Sequence, residues 1–299
     1  MSRRGQLLFL MMSVIWGIPY LLIKVAVREV SAPTLVFART APAALLLVPI
    51  AWHRGYLRPL LPRWRAVLAY TAIEVAGPWF LLSTAEKRLS SSVSGLLIAT
   101  VPLIGAGLAL AVGHEEKLDR RRIVGLLIGL GGVGLLVGID LHGSNLVAVG
   151  EAFLTAVGYA TGPMIISRRF ADLPGLGVVA ASFGLTAVAY APLALSGRPD
   201  HVSGEVIGAL VVLTLVCTAL AFLLFFALIV EVGPARATVI TFVNPAVAVA
   251  LGVIALGEPL SLGIAIGFPM ILAGSVLATG KSRELGAVGE AAPVTPNPL

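Results

Sequence analysis

The residue with the clearest chemical potential in this 299-residue sequence is an acid inside a long apolar segment. Glu74 stands in the run AVLAYTAIEVAGPWFLLS, about nine residues into a predicted membrane span and so roughly 13 Å deep. A carboxylate near the bilayer centre costs roughly 3 kcal/mol on insertion scales, so it should face a cavity or a partner. We expect Glu74 to contact an amine or to carry a proton. The alternative is a neutral, hydrogen-bonded acid that only packs.

Two cations, Lys24 and Arg39, flank the first predicted interhelical loop. Arg39 lies about six residues, or roughly 9 Å, inside its span, where it could bind a carboxylate or pair with Glu74. Lys24 stands near a helix end, and we favour the interpretation that its ammonium snorkels to the membrane interface.

Aromatic and amide side chains inside the predicted spans could line a pocket beside these charges. They are Trp16, Tyr20, Trp79, Tyr159 and Asn244. The rings could wall an apolar cavity, although aromatics in membrane helices commonly only pack or lie at interfaces. The amide of Asn244 can both donate and accept hydrogen bonds, which suits a position beside the same cavity.

Pro102 and Pro245 are predicted hinges. A proline inside a helix removes one backbone hydrogen bond and leaves a carbonyl to be satisfied by a neighbour, water or ligand. We expect both spans to kink at these residues and to expose carbonyls to the cavity.

Other chemistries find little support in the sequence. The four histidines fall in predicted loops without metal-binding spacing, and Cys217 is the only cysteine. Gly129, Gly131 and Gly134 form a GxGxxG match, but it lies inside an apolar span without the strand that a dinucleotide site needs. No phosphate-binding GxxxxGKS/T loop occurs. We therefore expect that the protein binds no metal and no cofactor and that it is not an enzyme.

The composition indicates a membrane protein. Hydrophobic residues make up 58% of the chain and charged residues 12%, where a soluble domain carries roughly 25% charged residues. The mean hydropathy is +0.99. The N-terminal apolar run reaches about residue 26, too long for the core of a cleaved signal, so it is interpreted as the first span.

At about 20 residues per crossing, the sequence predicts ten membrane helices. They lie near 6–26, 33–52, 66–84, 93–113, 123–139, 147–167, 175–195, 206–230, 237–256 and 261–280. The remaining tail, 281–299, is proline-rich and is predicted to be disordered and cytoplasmic.

The distribution of Lys and Arg predicts the orientation. Fifteen of them fall in segments on the side of the N-terminus, four fall in the opposite loops, and Lys24 and Arg39 lie within spans. Because cytoplasmic loops are enriched in these residues, both termini are predicted to be cytoplasmic, in a cell inner membrane. The same loops explain the net charge of +6 without a nucleic-acid partner.

The chain also repeats itself at a shift of about 143 residues. Matched positions include Pro102 with Pro245, Glu115 with Glu258, and Trp16-Gly17 with Tyr159-Ala160. Each repeat holds five spans, and five is odd, so the halves 1–140 and 147–280 must insert with opposite orientation. Glu115 and Glu258 stand at span ends and are interpreted as helix caps. Glycines of the fifth and tenth spans, at four-residue spacing in pairs such as Gly125/Gly129 and Gly134/Gly138, are expected to allow close helix packing.

These features resemble the drug/metabolite transporter superfamily, specifically its ten-helix EamA-type members, over nearly the whole chain to about residue 280. The likeness is carried by four pieces, WGIPYLLIK at 16–24, FAR at 37–39, SSVSGLLIATVPLIGAGLAL before Glu115, and PARATVITFVNPAVAVALGVIALGEPL ending at 260. The resemblance implies a central cavity built from helices 1 to 4 and 6 to 9, with helices 5 and 10 at the periphery. The repeat counterpart of Arg39 is Ser182, so any site is expected to be asymmetric.

We therefore predict a secondary transporter, a monomer or homodimer in the lipid bilayer. It would move a small-molecule substrate, namely an amino acid, amine or amphipathic metabolite, by alternating access. Export is favoured over import, and proton coupling is one possibility. The alternatives are an intramembrane lipid-processing enzyme, for which the chain offers a single deep carboxylate and no intramembrane histidine, and a scaffold or channel subunit without turnover.

Overall fold

The structure is a computed structural model that describes residues 2–111, 120–140, 145–197 and 199–279. Within these ranges every regular element is helical, and ten helical spans are long and apolar enough to cross a membrane. The spans are α1 Arg3–Ala26, α2 Ala32–His53, α3 Arg58–Ala85, α4 Ser91–Leu108, α5 Arg120–Gly138, α6 Leu146–Arg169, α7 Gly175–Ser196, α8 Gly204–Val232, α9 Val239–Leu256 and α10 Leu262–Thr279. The ten predicted spans are confirmed. The predicted tail 281–299 and Glu115 lie outside the described residues.

The start of α3 differs most from its predicted position. The helix begins at Arg58, whereas the sequence predicted a start near residue 66. A 3-10 turn, Arg58–Arg63, precedes the regular helix. The segment RPLLPR lies outside the predicted span, because its two arginines interrupt the apolar run. Only Leu60 of this turn is buried, so it caps the span at the surface.

Two repeat-related helices share an uncommon distortion. A π-helical turn spans Thr71–Ala76 in α3, and another spans Leu215–Leu220 in α8. The two turns are separated by 144 residues, close to the repeat shift. Such turns widen the helix locally and are frequent at functional sites.

Three further spans are broken near their middle. Helix α1 is interrupted between Ile15 and Pro19, α4 between Ile98 and Val101, and α9 passes from a 3-10 turn into the helix Asn244–Leu256. Pro102 and Pro245 therefore stand in the first turn of the second segment of each span, where the missing N–H costs no helical hydrogen bond. Both spans are interrupted close to their proline, but each proline starts a helical segment rather than interrupting one.

The packing follows a two-fold pattern between the halves. Helix α2 packs on its counterpart α7, and α5 packs on α10. Helix α1 packs on α8 as α6 packs on α3, and α4 contacts α9. The architecture is two inverted five-helix repeats, as predicted.

The glycines of α5 and α10 explain the closeness of that pair. A Cβ added at Gly125, Gly132, Gly267 or Gly274 would meet backbone atoms of the opposite helix. This confirms the predicted close packing for these positions. Gly134 and Gly138 instead face open space, so they take no part in it.

Candidate functional site

Arg39 lies in the middle of the helical bundle and joins three helices. Its side chain extends from α2, and its guanidinium carbon lies 3.7 Å from the centroid of the Trp79 ring on α3. Its Nε donates to the hydroxyl oxygen of Thr218 on α8, at 3.1 Å. Arg39 is only 7% exposed. The contacts from both halves of the chain therefore hold this cation in a dry environment.

The hydrogen bond from Arg39 to Thr218 has a fixed direction. The Thr218 hydroxyl donates its own hydrogen to the carbonyl of Leu213, at 2.8 Å, a five-residue separation created by the π-helical turn of α8. Its lone pairs are left to face Arg39. The distortion of α8 thus orients an acceptor for the guanidinium.

The terminal amino groups of Arg39 remain available. Among the described residues no carboxylate lies within 4.0 Å of them, and the ion pair with Glu74 considered above is not formed. A buried cation without an anion is unfavourable, so this fork of N–H donors is suited to a carboxylate or a similar anion from outside the chain.

Aromatic rings connect the two halves beside this cation. Trp79 contacts Phe183 with ring centroids 5.4 Å apart, and Phe183 contacts Phe222, also at 5.4 Å. Phe222 in turn meets Trp16 edge to face at 5.6 Å. Phe222 is the repeat counterpart of Trp79, separated from it by 143 residues in the sequence. The rings therefore form a continuous apolar wall across the pseudo-two-fold axis.

Two tyrosines complete the surroundings of Arg39. Tyr20 is 8% exposed, and its hydroxyl interacts electrostatically with Arg39 and Tyr159. The hydroxyl of Tyr159 faces the indole of Trp79. The structure thus brings together four of the predicted residues, Tyr20, Arg39, Trp79 and Tyr159.

Asn244 has a local structural contact. In the orientation that satisfies its amide, the nitrogen donates to the carbonyls of Ser13 and Ile240, each at 2.9 Å. Ser13 belongs to α1, so Asn244 links the break in α9 to the first helix. These two bonds use both of its amide donors.

Glu74 lies beside the Arg39 group, since its charge acts on Tyr159 but not on Arg39 itself. It stands in the π-helical turn of α3 and faces Gly162 of α6, where a Cβ would collide with its carboxylate. Its Oε2 has no hydrogen-bond partner among the described residues. Glu74 therefore lies between α3 and α6, the helix that also carries Tyr159.

The sequence analysis missed a second buried acid. Glu86, directly after the end of α3, is 0% exposed. Neither of its carboxylate oxygens has a hydrogen-bond partner among the described residues. In the sequence it precedes Lys87 and Arg88, which suggests a solvated loop. The available signal was its spacing of seven residues from Trp79, which puts both on one face of a helix.

Lys24 does not snorkel. It is half-buried, and its ammonium donates to the backbone carbonyls of Glu86, at 2.7 Å, and Leu89, at 2.6 Å. The last carbonyls of a helix lack partners and carry partial negative charge, so a cation there is favourable. Lys24 thus caps the end of α3.

Glu258 caps a helix of the opposite half. Its carboxylate accepts from the backbone N–H of Ser91 at 2.7 Å, and from the N–H and hydroxyl of Ser92 at 2.9 and 2.5 Å. The predicted capping role is confirmed, but for α4 rather than the adjacent helix. Burial alone would raise the pKa of Glu258. The hydrogen bonds from Ser92 and Ser91 outweigh it and hold that pKa below its usual value.

Metal chemistry has no visible basis in the part of the chain that the structure describes. No group of three or more His, Cys, Asp or Glu side chains there could hold a metal ion.

Comparison with known proteins identifies the family and several relatives of this chain. The sequence matches the EamA-like transporter family over residues 3–138 and 147–280. The uncharacterized inner membrane transporter YedA of Escherichia coli K12 is 30% identical over 261 residues, covering 83% of this chain and 81% of YedA. An uncharacterized transporter of Archaeoglobus fulgidus is 24% identical over 298 residues, covering 95% of this chain and all of that protein.

One relative has a more specific name. A probable amino-acid metabolite efflux pump of Salmonella typhimurium is 24% identical over 288 residues, covering 92% of this chain and 94% of that protein. A crystal structure superposes with a TM-score of 0.66 at 22% identity, covering 94% of this chain and 99% of the other. That likeness supports the fold alone.

Proposed function

Because the chain belongs to the EamA-like transporter family, we propose that it exports a small organic solute bearing a carboxylate, such as an amino acid. The solute would cross a bacterial inner membrane by alternating access. The observation that carries this proposal is the buried guanidinium of Arg39, which stacks on Trp79 and has no carboxylate partner among the described residues.

The chemistry of the site favours a carboxylate over a phosphate. Arg39 presents a planar fork that matches one carboxylate bidentately. A phosphate generally needs several convergent cations. Lys24 is already engaged by the carbonyls of Glu86 and Leu89. The aromatic wall of Trp79, Phe183 and Phe222 suits the apolar part of an amphipathic solute.

The internal symmetry supports alternating access. Inverted repeats give two related packings of the same helices around one site, one open to each side. The π-helical turns of α3 and α8 and the breaks at Pro102 and Pro245 stand at repeat-related positions. They are the places where the helices can bend with little loss of hydrogen bonding.

The proposed direction of transport and the proposed orientation in the inner membrane rest on two observations. The excess of Lys and Arg in alternate loops, fifteen against four, supports cytoplasmic termini. The names of the relatives, an inner membrane transporter and a probable efflux pump, support export from the cytoplasm.

Proton coupling is assigned in this proposal to Glu74. A carboxyl at membrane depth with one oxygen unpartnered can bind and release a proton when the helices around it rearrange. Gly162 makes room for this carboxyl between α3 and α6, since a Cβ at that position would collide with it.

The test is uptake and counterflow in proteoliposomes against a panel of amino acids and amines, with and without a pH gradient. Wild-type protein should give a saturable flux that responds to the gradient, and Glu74→Gln should lose that response. Equal flux for both proteins at every pH would remove the proton hypothesis. No saturable flux of any solute would instead favour a scaffold, and release of products from bilayer lipids would favour an enzyme.

A further inference from the structure

We propose that Glu86 accepts the ammonium group of a zwitterionic substrate whose carboxylate is bound by Arg39. This inference rests on the function proposed above and narrows its substrate class to α-amino acids and close analogues.

Glu86 has the properties of an incomplete binding site. It is fully buried, and both of its carboxylate oxygens lack a hydrogen-bond partner among the described residues. Leaving a buried polar group unpaired costs free energy, so such groups are rare and need an explanation. An ammonium brings three donors and a positive charge, and it would satisfy both oxygens.

The neighbouring cation does not fill this role. Lys24 is near enough to act on Glu86 electrostatically, but its ammonium bonds the backbone carbonyls of Glu86 and Leu89 instead of the carboxylate. No ion pair between Lys24 and Glu86 within 4.0 Å occurs in the described structure. The other charges acting on Glu86 are those of Glu258 and Arg39. The carboxylate therefore remains open to a ligand.

The register of α3 places Glu86 on the same helix face as Trp79, the ring that Arg39 contacts. Trp79 and Glu86 are seven residues apart, an axial separation of about 10 Å along the helix. The charges of Arg39 and Glu86 act on each other. Ser83, one turn from Trp79, donates its hydroxyl to the Trp79 carbonyl at 2.6 Å, so this donor is not used by Glu86.

An α-amino acid bound at both ends has a length similar to this axial separation. Two charge-assisted hydrogen bonds of about 2.8 Å, with the short backbone of an α-amino acid between them, span roughly 8–9 Å. The hydroxyls of Tyr20 and Tyr159 interact electrostatically with both Arg39 and Glu86. Both tyrosines therefore lie within electrostatic range of the two charges. The side chain of the amino acid would extend along the aromatic wall.

Glu74 is less suited to this role. It faces Gly162 on α6, and its charge acts on Tyr159 but, unlike that of Glu86, not on Arg39. The amine contact predicted for Glu74 is therefore reassigned here to Glu86, whereas the proton-carrier proposal for Glu74 is separate.

The test uses competition in proteoliposome counterflow. The amino acid that the wild type carries fastest is the labelled solute, and the competitors are that amino acid, its analogue without the amine and its analogue without the carboxylate. For phenylalanine these are 3-phenylpropanoate and 2-phenylethylamine. We expect the wild type to prefer the amino acid over the acid by about tenfold or more, the value of one hydrogen-bonded ionic contact.

Glu86→Gln should lose most of this preference while inhibition by the acid stays unchanged. Inhibition by the acid also reports that the variant is folded. If Glu86→Gln does not fold, Glu86→Asp replaces it and should show a reduced preference. Glu205→Gln, which makes the same change at an exposed position, should keep the wild-type preference.

Two results with Glu86→Gln would overturn the inference. In one, Glu86→Gln keeps the full preference for the amino acid. In the other, the variant weakens inhibition by the amino acid and by the acid equally, which indicates a structural or coupling role for Glu86. A wild type that carries carboxylates but no amino acid would also refute it while the proposed function stands. A wild type that carries no solute at all would refute the proposed function itself.

Discussion

The guanidinium carbon of Arg39 lies over the indole of Trp79, 3.7 Å from the ring centroid, although the two residues come from different helices. Both side chains are buried, at 7% and 5% exposure. A cation–π contact that is shielded from water contributes about 2 kcal/mol or more. The contact therefore holds the guanidinium in one position before any ligand arrives.

Replacing Arg39 tests whether this position matters for transport. Arg39→Lys keeps a positive charge but loses the planar stacking and the Nε bond to Thr218, so we expect transport efficiency in counterflow to fall by about tenfold or more. Arg39→Gln should abolish saturable flux. Arg28→Gln, at an exposed ion pair 3.8 Å long, is the matched control and should stay near wild type. Wild-type flux in Arg39→Gln would show that the cation is dispensable.

The cap formed by Glu258 should raise the melting temperature of the protein measurably. Glu258→Gln weakens the bonds to Ser91 and Ser92, and hydrogen bonds to a charged group contribute about 1.5–3 kcal/mol in well-formed cases. We expect a lower melting temperature for the purified variant at pH 7, measured by thermal unfolding in detergent. Glu205→Gln should leave the melting temperature unchanged, because its partner Arg28 is exposed.

The same residue gives a pH dependence with a definite sign. The pKa of Glu258 is lower in the folded protein than its ordinary value of 4.5. Its stabilisation is therefore complete above about pH 4.5 and is lost as the pH falls through the folded-state value. The difference in melting temperature between wild type and Glu258→Gln should shrink on acidification. A difference that grows in acid would contradict the assignment of the cap.

The packing of α5 on α10 can be tested with two neighbouring glycines. A Cβ at Gly132 would lie 2.9 Å from the Gly267 carbonyl oxygen and 3.0 Å from the Ile271 nitrogen, whereas a Cβ at Gly134 meets nothing within 4 Å. Gly132→Ala should destabilise the protein by about 1–3 kcal/mol through overpacking. Gly134→Ala should be neutral or slightly stabilising because alanine favours the helix. Equal melting temperatures for the two variants would show that the helices can separate at no cost.

The orientation can be measured by cysteine labelling in intact cells. The single native cysteine, Cys217, is 1% exposed and should react little. If the termini are cytoplasmic, a membrane-impermeant maleimide should label Glu205→Cys, at the start of α8, and should label His53→Cys only after the cells are opened. The reverse pattern would place both termini outside.

The spans and their symmetry could be predicted because they depend on local composition. Runs of about 20 apolar residues specify a crossing whatever they pack against. An odd number of spans per repeat fixes the inversion. The breaks near Pro102 and Pro245 also follow from proline chemistry, although the structure puts each proline at the start of a segment. The π-helical turns of α3 and α8 carry no comparable signal in the sequence.

The candidate site was predicted only in part. Arg39, Trp79, Tyr20 and Tyr159 come together, and their role in binding a substrate is still a prediction. The surroundings of Lys24 and Glu86 could not be predicted, because charged residues at span ends look alike in sequence whether they meet water or a neighbouring helix. Glu258 looked like a local cap, and its actual partners are 166 and 167 residues away.

The sequence by itself determined that this chain crosses the membrane ten times in two inverted halves, because the cost of burying polar backbone and charge in lipid acts on each segment independently. Tertiary structure decided which charges are buried and what they face. Whether Arg39 meets a carboxylate, whether Lys24 caps α3 and whether the Glu86 carboxylate has a hydrogen-bond partner all depend on contacts between helices distant in sequence. Those contacts arise from the packing of side-chain shapes, which no single segment contains.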